Sequence, residues 1–291
     1  MDLIRETVVK VLVGPFRVDK SYVVNFDGLK FHGLDLSKLN FNPSNLISVS
    51  FRNSEIINSK FEYCNLRGAL FDGTYFENSN FKNTFLCNCK FNKNTFLVSN
   101  FKFADCKYSN FENSFFDLGN LSDCDFSYST FLHVNGNCPT FYNSVFRNVK
   151  FISTKFDYQS NDGLISGTNF ASSNFIDAIF KNVECCYSSF RKANFKNVKF
   201  EDVDFSYAKL NECNFEFASL SNVNLYKADL ENVNLNNALL QNVNLEGANL
   251  LNADLRNVHI KNVNLKGANL KGAIYSKYNL SNAILDGAIF E

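Results

Sequence analysis

The fold of this chain is decided by residues 242–270, which read NVNLEGANLLNADLRNVHIKNVNLKGANL. A Leu or an Ile stands at every fifth position of this stretch, and a Val or an Ala stands two positions before each of them. An α-helix repeats about every 3.6 residues and a β-strand about every 2, so neither periodicity explains the spacing. The stretch predicts a regular structure in which each five-residue unit buries one large and one small side chain.

The five-residue spacing continues through almost the whole chain. Between Phe26 and Phe156 it defines 27 central positions, and 25 of them are Phe, Leu or Ile. Between Ile165 and Phe290 it defines 26 more, and 24 follow the same rule. The pattern breaks at residues 132–140, where Gly136 takes a central position, and at residues 157–169, where the register slips by one residue. Breaks in repeats often carry functional loops, and a tolerated local distortion is the alternative.

Asn, Gly and Asp are frequent two positions after each centre, as at Asn222, Gly247 and Asn262. These residue types tolerate a left-handed backbone, so each unit is expected to end in a corner. A unit of five residues cannot bury its own apolar side chains, and the units must therefore stack to form a core. We expect the corner Asn residues of successive coils to form a structural ladder of amides.

The units ADLEN at 228–232, ANLLN at 248–252 and ANLKG at 268–272 resemble the A(D/N)LXX motif of the pentapeptide-repeat family. The resemblance implies an all-β fold, a right-handed quadrilateral parallel β-helix with four repeats in each coil. The 53 repeats then predict a rod of about 13 coils. We expect residues 1–25 to form an N-terminal cap and residues 26–291 to form the β-helix, with a register slip near 157–165. The last coil has no evident cap, so self-association through the C-terminal end is a further expectation.

Composition limits the classes of function. The chain has 29 Lys and Arg against 29 Asp and Glu, so no excess charge favours direct binding of nucleic acid. No run of about 18 apolar residues predicts a membrane span, and the N-terminal stretch lacks the apolar core of a signal peptide. We therefore expect a cytoplasmic protein, or one that is delivered into a host cell.

The nine cysteines and three histidines do not form a catalytic or metal-binding pattern. Six of the cysteines fall on inward positions of the repeat, where a thiol packs as a small apolar group. No second C-x-x-C or His pair completes a zinc site, and no phosphate-binding loop or nucleophile motif is recognisable. We expect no enzyme activity, no catalytic residue, no cofactor and no bound metal.

Outward aromatic side chains form the candidate protein-binding surface, because clustered exposed aromatics anchor many interfaces. The alternative is that they stack between neighbouring coils and stabilise the rod by about 0.2–1 kcal/mol per pair. The candidates occur in pairs whose members are separated by one or two predicted coils, and they are Tyr63, Phe103, Tyr108, Tyr128, Tyr187 and Tyr207.

Two functions remain open. Some pentapeptide-repeat proteins imitate duplex DNA and protect DNA gyrase and topoisomerase IV from quinolones. Duplex DNA carries one charge per about 1.7 Å, whereas this chain has no net charge. The acidic segment available for such mimicry comprises Glu201, Asp202, Asp204, Glu212 and Glu216. Other similar rods occur among bacterial effectors, and we prefer that class: a non-enzymatic protein-interaction scaffold with an unidentified protein partner.

Overall fold

The computed structural model describes residues 24–156, 167–276 and 278–291. In these residues the chain forms seventeen short β-strands and no helix. All pairings between these strands are parallel. In chain order the strands are β1 Val24–Asn25, β2 Ser44–Asn45, β3 Glu55–Ile57, β4 Tyr75–Glu77, β5 Lys90–Asn92, β6 Thr95–Leu97, β7 Asn110–Glu112, β8 Phe115–Asp117, β9 Thr130–Leu132, β10 Asn135–Asn137, β11 Lys150–Ile152, β12 Ile179–Glu184, β13 Lys199–Asp204, β14 Ser219–Asn224, β15 Leu239–Asn244, β16 His259–Asn264 and β17 Ala283–Ile284.

The strands stack into a four-sided parallel solenoid. Paired residues are 20 positions apart over most of the chain, as in Phe76 with Phe96 and Leu220 with Leu240. Turns recur at five-residue intervals, so each coil has four sides. A five-stranded sheet (β3, β4, β6, β8, β10) occupies one side of the first half. A ten-stranded sheet, from β5 to β17, occupies the neighbouring side and then continues through the second half. The predicted β-helix with four repeats per coil is confirmed.

The strand ladders count the turns of the solenoid. The ladder of paired residues from Lys30 to His259 contains eleven steps, and the ladder from Asn40 to Ile289 contains twelve. The described solenoid therefore completes about 11 to 12 turns, close to the predicted 13 or so coils. The step from Lys150 to Ile179 is longer than the others, with an offset of 29 positions instead of 20.

Two segments of the predicted domain organisation lie partly outside the described residues. Strand pairing begins at Val24, which pairs with Ser44, and residues 1–23 of the expected cap are not described. The expected register slip falls on residues 157–166, which are also not described. On either side of that segment, Lys155 pairs with Glu184 and Thr140 pairs with Asn169, so the coils before and after it stack directly.

The core is a column of stacked central side chains. Phe71, Phe91 and Phe111 lie on successive coils, with ring centroids 4.8 and 4.6 Å apart and interplanar angles of 2°. Leu replaces Phe at most central positions from Leu210 onward, where Leu245 and its neighbours are equally buried. This continuous apolar column is what makes stacking favourable, because each coil covers the apolar rim of the next.

Most small inward side chains satisfy their own polar groups, although the buried hydroxyls of Ser44, Thr154 and Thr168 have no hydrogen-bond partner among the described residues. Ser79 Oγ donates to the carbonyl oxygen of Ile56 at 2.8 Å, and Cys124 Sγ donates to that of Phe101 at 2.9 Å. In both contacts the donor lies 23 residues after the acceptor, and the same offset recurs at Thr84 and Ser109. A buried hydroxyl with a partner costs little, so Ser, Thr and Cys are tolerated inside the column. The six inward cysteines are buried, as the sequence predicts.

The break at residues 132–140 forms no loop. Strand β10 continues through it and pairs with β8, and Gly136 is the residue that pairs with Phe116. A Cβ atom at Gly136 would lie 2.9 Å from Cδ1 of Phe156 and 3.0 Å from Cγ of Pro139. The buried ring of Phe156, one coil later, therefore occupies the space that a central side chain at position 136 would take.

The corners adopt the left-handed backbone that their residue types predict. The non-glycine corner residues have φ between 46° and 63°, and Asn is the most frequent among them. Along one edge the amide nitrogen of Asn262 donates to Asn242 at 2.9 Å, and that of Asn242 donates to Asn222 at 2.8 Å. The predicted ladder of amides is confirmed.

We predict that Gly136→Phe destabilises the protein, although it restores the residue type that the repeat prefers at a central position. Overpacking against Phe156 should lower the free energy of unfolding by about 1–3 kcal/mol. The measurement is chemical denaturation of the purified variant. The control is His133→Phe at a nearby exposed corner, which should change stability by less than about 0.5 kcal/mol. A more stable Gly136→Phe variant would show that the space is open.

Candidate functional site

The six predicted aromatic residues do not form one surface. All of them occupy corner positions, but the pairing of successive coils places them on three different edges of the solenoid. Tyr108 and Tyr128 lie on one edge, and Tyr187 and Tyr207 lie on another. The remaining pair, Tyr63 and Phe103, lies on a third edge, where the coil between them carries Asn83.

The tyrosines of two pairs stack on each other. The ring centroids of Tyr108 and Tyr128 are 5.1 Å apart with an interplanar angle of 7°, and those of Tyr187 and Tyr207 are 4.8 Å apart with an angle of 2°. The stacking alternative is therefore realised for these pairs. On the third edge, Lys102 Nζ lies 4.9 Å from the ring centroid of Phe103, and Tyr63 exposes 63% of its surface.

The edge that carries Tyr187 and Tyr207 is apolar over a longer distance than the aromatic residues alone indicate. Three preceding coils place Val98, Leu118 and Cys138 at the equivalent corner. Between Cys138 and Tyr187, one coil has this corner outside the described residues. We define the apolar edge as these five described residues. It extends over five coil spacings, which is about 24 Å at the usual distance between neighbouring strands.

Val98 and Leu118 are unfavourable residues at their positions. Both have a φ of 50°, and Val98 is the sole β-branched residue with positive φ in the described part of the chain. The left-handed conformation costs residues other than Gly and Asn about 1–2 kcal/mol. Val98 and Leu118 nevertheless leave 50% and 58% of their surface exposed, so burial does not offset this cost. Neither backbone preference nor packing within the rod explains these two side chains.

Sequence reasoning missed Val98 and Leu118 because it considered aromatic residues alone. The signal was present in the sequence, since both residues stand two positions after a centre and are separated by the length of one coil. The sequence does not show that they share an edge with Tyr187 and Tyr207, because that placement depends on the longer step between Lys150 and Ile179.

Basic side chains of preceding coils neutralise the three glutamates of the acidic segment. Lys181 Nζ lies 2.9 Å from Glu201, Arg191 lies 3.0 Å from Glu212, and Lys196 Nζ lies 2.7 Å from Glu216. The hydrogen bond from Arg191 lowers the pKa of Glu212. The other two carboxylates, Asp202 and Asp204, accept amide hydrogen bonds from Asn222 and Asn224 at 2.8 and 3.1 Å.

The five acidic residues also face different directions. Glu201, Asp202 and Asp204 belong to β13, whereas Glu212 and Glu216 follow on later sides of the coil. A shallow groove of about 360 Å³ runs past Asp202 and Asp204 on the outer surface of the sheet. The segment thus presents small, separate clusters, in which the glutamates are ion-paired, instead of one continuous negative face.

Metal-binding groups and thiol reactivity are the remaining chemical features of the chain. Within the described residues, no group of three or more His, Cys, Asp or Glu side chains is placed to hold a metal ion. Burial raises the pKa of the Cys89, Cys106 and Cys124 thiols, and it raises that of Cys87 to about 11, so these sulfurs are poor nucleophiles at neutral pH. The described residues include no helix that could cross a membrane.

Solved structures of several repeat proteins are similar to this chain. One is HetL, a pentapeptide repeat protein involved in heterocyst differentiation regulation from the cyanobacterium Nostoc sp. strain PCC 7120, which is 16% identical with a TM-score of 0.30. That alignment covers 98% of this chain and 93% of HetL. A trypsin-treated form of QnrB1, a plasmid-mediated fluoroquinolone resistance protein, is 21% identical with a TM-score of 0.31, and the alignment covers 52% of this chain and 82% of QnrB1. No functional argument follows from these similarities.

Sequence comparison gives the family directly. No curated protein sequence matches the chain. The family described as pentapeptide repeats matches in eight copies, over residues 54–92, 165–206, 199–237 and 238–276. These matches cover more than half of the 291 residues, and they fall on the coils whose pairing is described above. The chain belongs to the pentapeptide-repeat family.

Proposed function

We propose that this protein is a non-enzymatic scaffold that binds a protein partner along its apolar edge. The observation that supports the proposal best is the pair Val98 and Leu118. Both side chains are half exposed, and both hold a backbone conformation that disfavours them. A partner that covers these side chains supplies the burial that the rod itself does not, and strained residues at a surface often mark such sites.

The two ends of the apolar edge differ in character. The first end is aliphatic, with Val98 and Leu118, and the second end is aromatic. There the stacked ring of Tyr207 also contacts the ring of Tyr226 edge-to-face, with centroids 5.5 Å apart, and Lys227 Nζ lies 5.1 Å from the centroid of Tyr226. Stacked tyrosines are held rigidly, so a partner that binds them loses less side-chain entropy.

Three further statements belong to this proposal. The protein acts in the cytoplasm, or as a bacterial effector in the cytosol of a host cell, because buried thiols suit a reducing compartment. It contacts protein instead of nucleic acid, since its net charge is zero. It also associates with itself through its last coil, where Ile274 and Ile284 each expose about half of their surface.

The alternative function, DNA mimicry toward DNA gyrase or topoisomerase IV, is the weaker candidate. A protein that imitates duplex DNA needs unpaired negative charges along its length. Glu201, Glu212 and Glu216 are instead ion-paired with Lys or Arg. The segment therefore presents little net charge to an enzyme that binds DNA.

We predict that the protein does not affect DNA gyrase. The measurement is a supercoiling assay with purified gyrase, with and without a quinolone, over a range of protein concentrations into the micromolar range. Supercoiling and its inhibition by the quinolone should both be unchanged. Inhibition or protection that disappears in a Glu201→Gln/Glu216→Gln variant would instead support DNA mimicry through the acidic segment.

The test of the apolar edge is quantitative affinity capture from bacterial and host-cell lysates with three forms of the protein. The edge variant is Leu118→Asn/Tyr207→Asn. The matched control is Tyr108→Asn/Tyr128→Asn, which makes comparable changes at corners of a different edge. Asn suits a left-handed corner, so both variants should fold. We expect the edge variant to recover a specific partner at least about tenfold less well than the wild type and the control, since interface anchors typically contribute more than about 1 kcal/mol each. Equal recovery by all three forms would contradict the proposal.

A further inference from the structure

The outer face of the five-stranded sheet has an unusual composition. Each strand has three residues, and the middle one is buried while the two flanking residues point outward. Among the ten outward side chains there are three carboxylates and four large apolar groups, and none is Lys or Arg. We define the acidic sheet face by the six residues that carry the argument: Glu55, Tyr75, Glu77, Leu97, Phe115 and Asp117.

The strand register places these side chains in two rows along the rod. Tyr75, Thr95 and Phe115 pair in one row, and Glu77, Leu97 and Asp117 pair in the other. Strand β4 thus presents Tyr75 beside Glu77, and strand β8 presents Phe115 beside Asp117. The two strands are two coils apart, which is about 10 Å. Apolar and negative groups therefore alternate along the second row, and they stand side by side on β4 and β8.

The three carboxylates have no cationic partner among the described residues, since none of them lies within ion-pair distance of a Lys or Arg there. Tyr75 Oη donates to Glu77 at 3.0 Å, and Asn137 Nδ2 donates to Asp117 at 2.8 Å. These bonds orient both carboxylates and leave their charges uncompensated. The acidic segment around Glu201 behaves differently, because its glutamates are neutralised within the rod.

We propose that the acidic sheet face binds a segment of a partner protein in which apolar side chains alternate with Lys or Arg. This inference rests on the proposed function and deepens it, because it states the chemistry of the partner. The face and the apolar edge are continuous, since Val98 directly follows Leu97 and Leu118 directly follows Asp117. One segment can therefore pack its apolar side chains on Phe115, Leu97 and the edge while its cations meet Glu77 and Asp117.

The geometry disfavours other occupants. Glu77 and Asp117 are about 10 Å apart, whereas carboxylates that share a Ca²⁺ ion must each approach it to about 2.5 Å. Nucleic acid is repelled by unpaired carboxylates. A purely cationic chain would satisfy the charges but would leave Phe115, Val98 and Leu118 exposed, and a purely apolar one would bury the charges without partners.

The probe is a synthetic fluorescent peptide that alternates Leu and Lys, and its binding is measured by anisotropy at low and high salt. The comparison peptides are the same sequence with Glu in place of Lys, and an oligolysine of equal charge. We expect the Leu–Lys peptide to bind and the Leu–Glu peptide not to bind. Oligolysine should bind more weakly, and its binding should disappear at high salt. Equal binding of oligolysine and the Leu–Lys peptide would overturn the apolar part of the proposal.

The variant Glu77→Gln/Asp117→Asn removes both charges and preserves shape and hydrogen-bond acceptors. Its matched control is Glu201→Gln/Glu216→Gln, which removes two charges elsewhere. The first variant should bind the Leu–Lys peptide about tenfold more weakly, consistent with two partly exposed charge pairs, and the control should bind it as the wild type does. Thermal unfolding checks that both variants are folded. Unchanged binding by the first variant, or equal weakening of both, would overturn the proposal.

These outcomes are separable from those of the apolar-edge test. If the peptide fails to bind while capture of a partner still depends on Leu118 and Tyr207, the acidic sheet face is excluded and the scaffold function stands. If no partner depends on the edge and the peptide also fails to bind, the proposed function itself is wrong.

Discussion

The structure depends on the inability of a five-residue unit to bury its own apolar side chains. Each coil must therefore pair with the next one, and the pairing keeps the same sequence offset almost everywhere, as between Phe76 and Phe96. Backbone hydrogen bonds between coils and the stacked central side chains both follow from this one constraint. Even the small polar residues inside obey it, since Ser79 and Cys124 each donate to a carbonyl 23 residues earlier. In the described coils the core fills the interior, and function is therefore assigned to the corners and the outer faces.

This separation of inside from outside explains how much the sequence could predict. The inward positions are strongly restricted, so the period of five indicated the solenoid, the buried Leu245 and the thiols in the core. The role of Gly136 was not predictable, because its empty position is filled by the ring of Phe156 from another coil. The extra length of the step between Lys150 and Ile179 was not recognised, because in the sequence it looks like a slip of one residue.

The candidate sites were harder to predict than the fold for a related reason. Side chains that the coils bring together lie far apart in the sequence, and the predicted aromatic surface combined others that lie on different edges, such as Tyr63 and Tyr108. The distribution of charge over the surface was equally hard to predict from the sequence. The chain is neutral as a whole. Even so, Glu77 faces outward without a cation among the described residues, while Glu201 is paired with Lys181. Such patterns appear only after side chains are assigned to a side of the coil, which the register of the strands supplies.

The central claim has two parts. The inward side chains of the repeat determine stability, whereas Val98 occupies its corner because it binds a partner, although the left-handed backbone disfavours it. The most direct test is chemical denaturation of Val98→Asn compared with the wild type. Because Asn tolerates the left-handed corner and Val does not, the account predicts that the variant is more stable by about 1 kcal/mol. A loss of stability of similar size would show that Val98 contributes to packing within the rod, and it would contradict the assignment of this edge to a partner.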